Sequence, residues 1–477
     1  MEIPVHLRKL PIWILLASLS SLLCPVLSAR TIVVPTEIQT LKQAIEEAGP
    51  GDTILLEPGV YEENVYVSKP LHVTSRFLMT GLETYVYETI VDGRGKTVFT
   101  IEGPLEGAVT LTGLTIRNGD DGIMASAVVN LFHNLVTRCE DGIDYETGGG
   151  GILRENVFRE NEDDGIDLDG TLHYVVIENN KIFDNEDDGI EIRLHSYQGD
   201  SSFCRISGNQ IYRNQEDGIQ FIDYPDLTPR VYVLERNVIF DNEMAGIGCM
   251  DQGDTREDYR GAPIPEPIYL FNNTIAGNEY GITGGANLIS VNNLILHSRT
   301  TGAYNNSGNS IHSFCLFHGN ETDLDNGQAD MNSCLFQDPL LTQSYYPLEG
   351  SPCIDGGTTL FISGSDTIVL IPETEFTGSN PEIGAIEYTR LSTGNFQENG
   401  PEFKVWPNPF TNELCVHTNH STPDGWLRIY DLHGKIMLSQ TGIHTDFKVS
   451  LGDLSNGLYV VVYTDHSTTI SRKLLKI

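Results

Sequence analysis

At 477 residues the chain exceeds one ordinary globular domain, and its formal charge of −37 removes the basic patch that phosphate contacts need, so nucleic acid is excluded as a partner. The same surplus of carboxylates keeps an exported chain soluble and offers hard oxygen ligands to Ca²⁺ or Mg²⁺. Eight cysteines, seven of them beyond residue 29, follow no CxxC spacing and define neither a disulfide framework nor a zinc site.

The first segment, 1–29, has the layout of a secretory signal. Arg8 and Lys9 precede an apolar run from Leu10 to Leu23, and small residues at Val26-Leu27-Ser28-Ala29 suit a peptidase. The run is short and broken by Ser18, Ser20 and Ser21, and no later stretch approaches about 20 apolar residues, so no transmembrane segment is expected in the mature chain. A lipoprotein reading of Cys24 is disfavoured by Leu23, which stands where a small residue is required. From Thr36 to Ala48, the spacing of Ile38, Leu41, Ala44 and Ile45 predicts a short amphipathic helix. Such a helix would cap a solenoid by hiding its first open strand edges.

Repetition dominates the centre of the chain. Gly-Ile pairs recur at Gly122, Gly142, Gly165, Gly189, Gly218, Gly246 and Gly281, at intervals of 20, 23, 24, 29, 28 and 35. A second marker keeps step: Asn134, Asn156, Asn180, Asn209, Asn237, Asn273 and Asn293. Between the markers apolar residues alternate, as in Ile166-Asp167-Leu168-Asp169, the period of a half-buried strand. No helical pattern separates these strands, which excludes leucine-rich repeats. The pattern predicts an all-β fold, a right-handed parallel β-helix whose coils stack about 4.8 Å apart. Asn recurring at one corner is expected to hydrogen-bond along the stack and to tolerate a left-handed turn. Cys315 and Cys334 fall in similar contexts one repeat apart, as stacked core thiols or as a bridge.

The run AIEEAGPGDTILLEPGVYEENVYVSKPLHV resembles the N-terminal segment of right-handed β-helix proteins of the pectin-lyase-like superfamily. SPCIDGG and the stretch Asn380–Glu387 resemble the closing segment of secreted bacterial members. Together these define a β-helix domain over 30–389. A polar linker over 390–402 leads to a unit at 403–477 with PNPF, the turn DLHGK, the strand pattern LSNGLYVV and a closing KLLKI. It resembles the C-terminal sorting domain of the type IX secretion system, and a small β-sandwich-like fold is expected. That resemblance implies export through the type IX machinery, with the protein released or held at the outer-membrane surface.

Strand alternation draws two outward columns after each Gly-Ile: Met124, Asp144, Asp167, Glu191, Gln220, and Ser126, Glu146, Asp169, Arg193, Ile222. Carboxylates about 5 Å apart repel unless a cation or a proton intervenes, so Asp144, Asp167, Asp169 and Glu191 are the candidate Ca²⁺ ligands. A further column, Asp121, Asp141, Asp164, Asp188 and Asp217, precedes each glycine; turn formation comes first for these and metal binding second. Lyases of the resembled fold pair Ca²⁺ with a nearby basic residue that removes the proton alpha to a uronate carboxylate. The resemblance therefore points to Arg193 as the catalytic residue, with a sugar-carboxylate clamp as its plainer role. His195 and Lys181 are weaker candidates. Long loops after Arg193, Ile222 and Met250 leave one strand edge and carry Tyr197, Tyr224, Tyr259 and Arg260, which suit sugar binding together with His195. The expected partner is an acidic polysaccharide. Two alternatives stand: a non-catalytic surface or glycan-binding protein stiffened by Ca²⁺, and a glycoside hydrolase using paired Asp from Asp164, Asp167, Asp187 and Asp188.

Overall fold

A computed structural model of the chain describes residues 29–388, apart from position 104 and the segments 171–173, 196–202, 225–229, 252–260 and 364–365, together with most of 403–476. The signal segment, the linker, and the candidates Tyr197, Tyr259 and Arg260 lie outside the described residues.

The period-2 strands assemble into three long parallel sheets. The first runs in 12 strands from Thr31–Val34 to Ile311–Ser313, the second in 11 from Val65–Val67 to Thr322–Asp325, and the third in 12 from Gly59–Tyr61 to Leu335–Phe336. Each coil gives one strand to each sheet, visiting first, third and second in turn, as in Gly151–Arg154, Val157–Arg159 and Ile166–Leu168. Inward residues such as Leu131, Val136, Ile143, Phe158, Ile166 and Ile177 are fully buried in one continuous core. Burying each such side chain contributes about 1.5–3 kcal/mol, repeated along the stack.

Both corners flanking the third sheet are set by asparagine. At the corner between the first and third sheets, each Asn Nδ2 donates to the Oδ1 of the next: Asn134 to Asn156 (3.1 Å), Asn156 to Asn180 (3.0 Å), Asn180 to Asn209 (3.0 Å), Asn209 to Asn237 (2.9 Å). A second ladder, not singled out by the sequence pattern, runs through Asn161, Asn185, Asn214, Asn242 and Asn278 at the corner before the second sheet. The left-handed conformation expected of the asparagines belongs instead to the residue before each one: His133, Glu155, Asn179 and Arg236 at the first corner, Glu160, Asp184, Arg213 and Asp241 at the second. The repeated glycines do not need positive φ either. A Cβ on Gly165 would stand 2.6 Å from the Gly189 carbonyl oxygen, so glycine is required there by coil-to-coil approach.

The N-terminal helix is shorter than its pattern, Leu41–Glu47, because Thr40 caps it by accepting from the Gln43 N–H. Leu41, Ala44 and Ile45 are buried against the first coils, as a cap requires. At the other end the closing segment lies over the outer face of the third sheet. Asn292 accepts from the Thr358 N–H and donates to its carbonyl, and Ile383 and Cys353 are buried with Leu294, Leu296 and Leu316. Cys315 and Cys334 are free core thiols on successive coils. The tail forms a three-stranded and a four-stranded antiparallel sheet around one core that includes Phe410, Leu427, Val461 and Tyr463.

Candidate functional site

Register confirms the first outward column as a true ladder: Met124 pairs with Asp144, Asp144 with Asp167, Asp167 with Glu191, and Glu191 with Gln220. In the second column, Arg193 pairs with Ile222. Facing away from the core does not mean facing water. Asp167 and Glu191 are only 6% and 7% exposed, and Gln220 and Ile222 are also buried. The cover comes from within the column and from the turn beside it, where Asp164 and Asp188 are buried as well.

Those turn aspartates do the capping expected of them. Asp141 Oδ1 accepts from the Asp164 N–H (3.0 Å), Asp164 from Asp188 (2.9 Å), Asp188 from Asp217 (2.6 Å), and Asp217 from the Ala245 N–H (2.5 Å). The capping engages one oxygen of Asp164, and that carboxylate still joins Asp167 and Glu191 in a group whose ligand oxygens all lie within 4.8 Å of one another. Asp163 and Asp187 with Asp164, and Asp187 and Asp188 with Glu216, form two further such groups at the turn. The four ligands expected from the sequence therefore divide: Asp167 and Glu191 converge with Asp164, whereas Asp144 and Asp169 belong to none of the three. Asp144 stands one rung away with Oδ1 unpartnered among the described residues. The sequence pattern by itself ranks Asp164 lower, because a turn role fully accounts for Asp before Gly.

Asp169 is held instead by Arg193 and His195. Arg193 Nη1 lies 2.9 Å from Asp169 Oδ1 and 3.6 Å from Asp167 Oδ2, and its Nη2 lies 2.6 Å from Glu191 Oε1. His195 Nε2 lies 3.2 Å from the same Asp169 oxygen, and its ring packs on Tyr224 with centroids 4.2 Å apart. A hydrogen bond from the His195 N–H to the Arg193 carbonyl (2.9 Å) folds the strand end so that both side chains converge on Asp169. Lys181 is exposed on the third sheet and takes no part in this group.

One arginine does not neutralise this many carboxylates. Burial, then the charge of Glu191, pushes Asp167 up to about 9; burial pushes Glu191 up to about 7 despite Arg193, and Asp144 up to about 7 with Asp121 adding to it. Asp141 rises to about 8 through burial, and Asp164 and Asp188 are raised well above the carboxylate range by burial and by their neighbours. Burial alone would lower the proton affinity of Arg193, but Asp167, Glu191 and Asp169 outweigh it and raise it, so this guanidinium stays a cation. The donor set fits a hard divalent ion: it is all oxygen, three carboxylates converge, and Asp167 Oδ1 is buried with no donor among the described residues.

Residues 104–257 match the family described as right handed beta helix region, and residues 404–477 match the one described as secretion system C-terminal sorting domain. The chain is a secreted right-handed β-helix protein. Among the described residues no helix is long and apolar enough to cross a membrane. No curated protein matches the chain. Similar solved structures include the mannuronan C-5 epimerase AlgE6 A-module of Azotobacter vinelandii, at 15% identity and TM-score 0.44, covering 62% of this chain and 93% of that one. The AlgE4 A-module of the same organism has 14% identity and TM-score 0.40, covering 61% and 91%. The tailspike gp49 of Acinetobacter baumannii bacteriophage Fri1, a capsular polysaccharide depolymerase, has 13% identity and TM-score 0.35, covering 94% and 78%.

Proposed function

We propose that the chain acts on a uronate-bearing polysaccharide by removing the proton alpha to the sugar carboxylate, with Ca²⁺ at Asp164, Asp167 and Glu191, and that β-elimination follows. The observation that carries this reading is the convergence of Arg193, His195 and Tyr224 beside the buried carboxylate group. Arg193, fixed as a cation, clamps the uronate carboxylate and stabilises the charge that develops on it when the adjacent C–H bond breaks. His195 takes that proton; Nε2 is held by Asp169, which leaves Nδ1 for the transfer. The bond from the sugar ring to the leaving glycosidic oxygen then breaks, and the Tyr224 hydroxyl supplies the proton that oxygen needs. Ca²⁺, when bound, supplies charge neutralisation for both the protein carboxylates and the sugar carboxylate. Tyr197 and Arg260, which lie outside the described residues, are proposed from the sequence alone as further sugar contacts.

The net charge makes the ion more than an accessory. A polyanion approaching a chain of formal charge −37 is repelled at long range, so capture depends on divalent bridging and improves as added salt screens the repulsion. Absorbance of unsaturated products from pectate and alginate, with and without Ca²⁺, tests the proposal. Arg193→Ala should lose turnover by about 10³-fold or more, and Arg193→Lys, which keeps charge without the fork, by about 10²-fold. Retained turnover in Arg193→Ala removes it from the site. If no unsaturated product forms and no solvent deuterium enters the sugar, the non-catalytic glycan-binding reading replaces this one.

A further inference from the structure

We propose that Cys315 and Cys334 are a cross-linking site: when the exported chain meets an organic disulfide, the two thiols join and pin the last strand of the third sheet to the coil before it. Pairing of Leu294 with Leu316, and of Leu316 with Leu335, puts the two cysteines on the rungs that follow Asn293. The asparagine ladder stops there. Asn293 Nδ2 turns to Ser290 Oγ at 2.9 Å, and that hydroxyl lies 3.4 Å from Cys315 Sγ. The two thiols are placed alike: Cys315 Sγ lies 3.4 Å from the Ser290 carbonyl oxygen and Cys334 Sγ 3.4 Å from that of His312, and Ser290 and His312 are themselves paired on successive coils. The sulfurs are also within hydrogen-bond reach of each other. A disulfide asks for Cα atoms about 4.4–6.8 Å apart, and one coil spacing of about 4.8 Å satisfies it. Cys204, by contrast, pairs with Val175 and Tyr232, so no thiol faces it across its sheet.

Export and the position at a sheet end both favour the reaction. Disulfides persist in exported chains, and the sorting domain at 404–477 marks this one for export. The strand Leu335–Phe336 is two residues long and ends the third sheet, with a partner on one side, so it opens at low cost and admits an oxidant. Cys334 is 7% exposed and Cys315 0%. Burial pushes the Cys315 thiol up, whereas the hydrogen bond from Cys315 holds the Cys334 thiol below its ordinary value. Cys334 is therefore the attacking thiolate. Its sulfur displaces one thiolate from the organic disulfide and forms a mixed disulfide with the other half. Cys315 then loses its proton and attacks Cys334 Sγ, displacing the second thiolate. Two protein thiols are oxidised, one organic disulfide is reduced to two thiols, and the two protons end on the departing sulfurs. The cross-link closes the free end of the third sheet, and it does not rest on catalysis at Arg193.

The test is to reduce the full secreted chain, incubate it folded with oxidised glutathione at about pH 8, and map its peptides without reductant. Wild type should lose about 2 Da for the new bond and yield one linked peptide pair containing Cys315 and Cys334. Cys315→Ser should instead retain glutathione on Cys334, because the resolving thiol is gone, and Cys334→Ser should take up none at Cys315. Oxidised wild type should exchange its amides about tenfold more slowly than the reduced chain across residues 316–336. Absence of the linked pair in oxidised wild type overturns the site, and so does glutathione that stays on Cys334 while Cys315 is present. Both measurements use the unaltered chain, so neither depends on a variant that folds.

Discussion

Two polar columns run along this solenoid, and they behave in opposite ways. The asparagine ladder, from Asn134 through Asn293, is buried and self-sufficient. Each amide carries both donor and acceptor, so Asn156 gives its Nδ2 protons to Asn180 Oδ1 and the Leu131 carbonyl and takes bonds from Asn134. The aspartate column is buried at Asp164, Asp188 and Asp217 and half-buried at Asp121 and Asp141, but a carboxylate only accepts. It finds backbone N–H groups for one oxygen, and at Asp164 the carboxylate still meets Asp167 and Glu191. A stack of amides closes on itself, whereas a stack of acids needs protons, an arginine or a metal from elsewhere. Chemistry gathers where the stacking is incomplete.

The contrast between the columns can be broken at four points. Gly165→Ala strikes both, since its Cβ would meet Gly189 O at 2.6 Å and Asn185 Nδ2 at 2.9 Å. It should cost about 3 kcal/mol or more, seen as a lower urea midpoint. Asn180→Ala should cost about 3 kcal/mol, because it strands the Asn156 N–H and the Leu153 carbonyl. Asn180→Asp should be as damaging at neutral pH; if it is harmless, the ladder does not depend on paired donors. Stability in chelator should fall as pH rises, since Asp144, Asp141 and Asp167 bind protons up to about 7, 8 and 9 when folded and release them near 4 when unfolded. The contribution is complete below about pH 4 and is lost progressively as pH passes through those folded values. Melting curves from pH 5 to 9 with and without Ca²⁺ check this, and Ca²⁺ should flatten the decline. Asp167→Asn should have the smallest effect, raising stability in chelator by about 1 kcal/mol at pH 8 while abolishing the gain from Ca²⁺ at the second sheet.

Much of this was legible in the residues. Gly-Ile spacing with Asn in step determined the coil, its register and the outward columns, because a stack of near-identical turns can satisfy its hydrogen bonds and bury its apolar face in few ways. The tail and closing segment were readable for the same reason, as local patterns with fixed turns. Tertiary structure alone decided which outward residues are buried, and why Asp164 joins Asp167 and Glu191 while Asp169 goes to Arg193 and His195. Those outcomes depend on side-chain reach between coils and on cover supplied by distant chain, and neither quantity is periodic in the sequence.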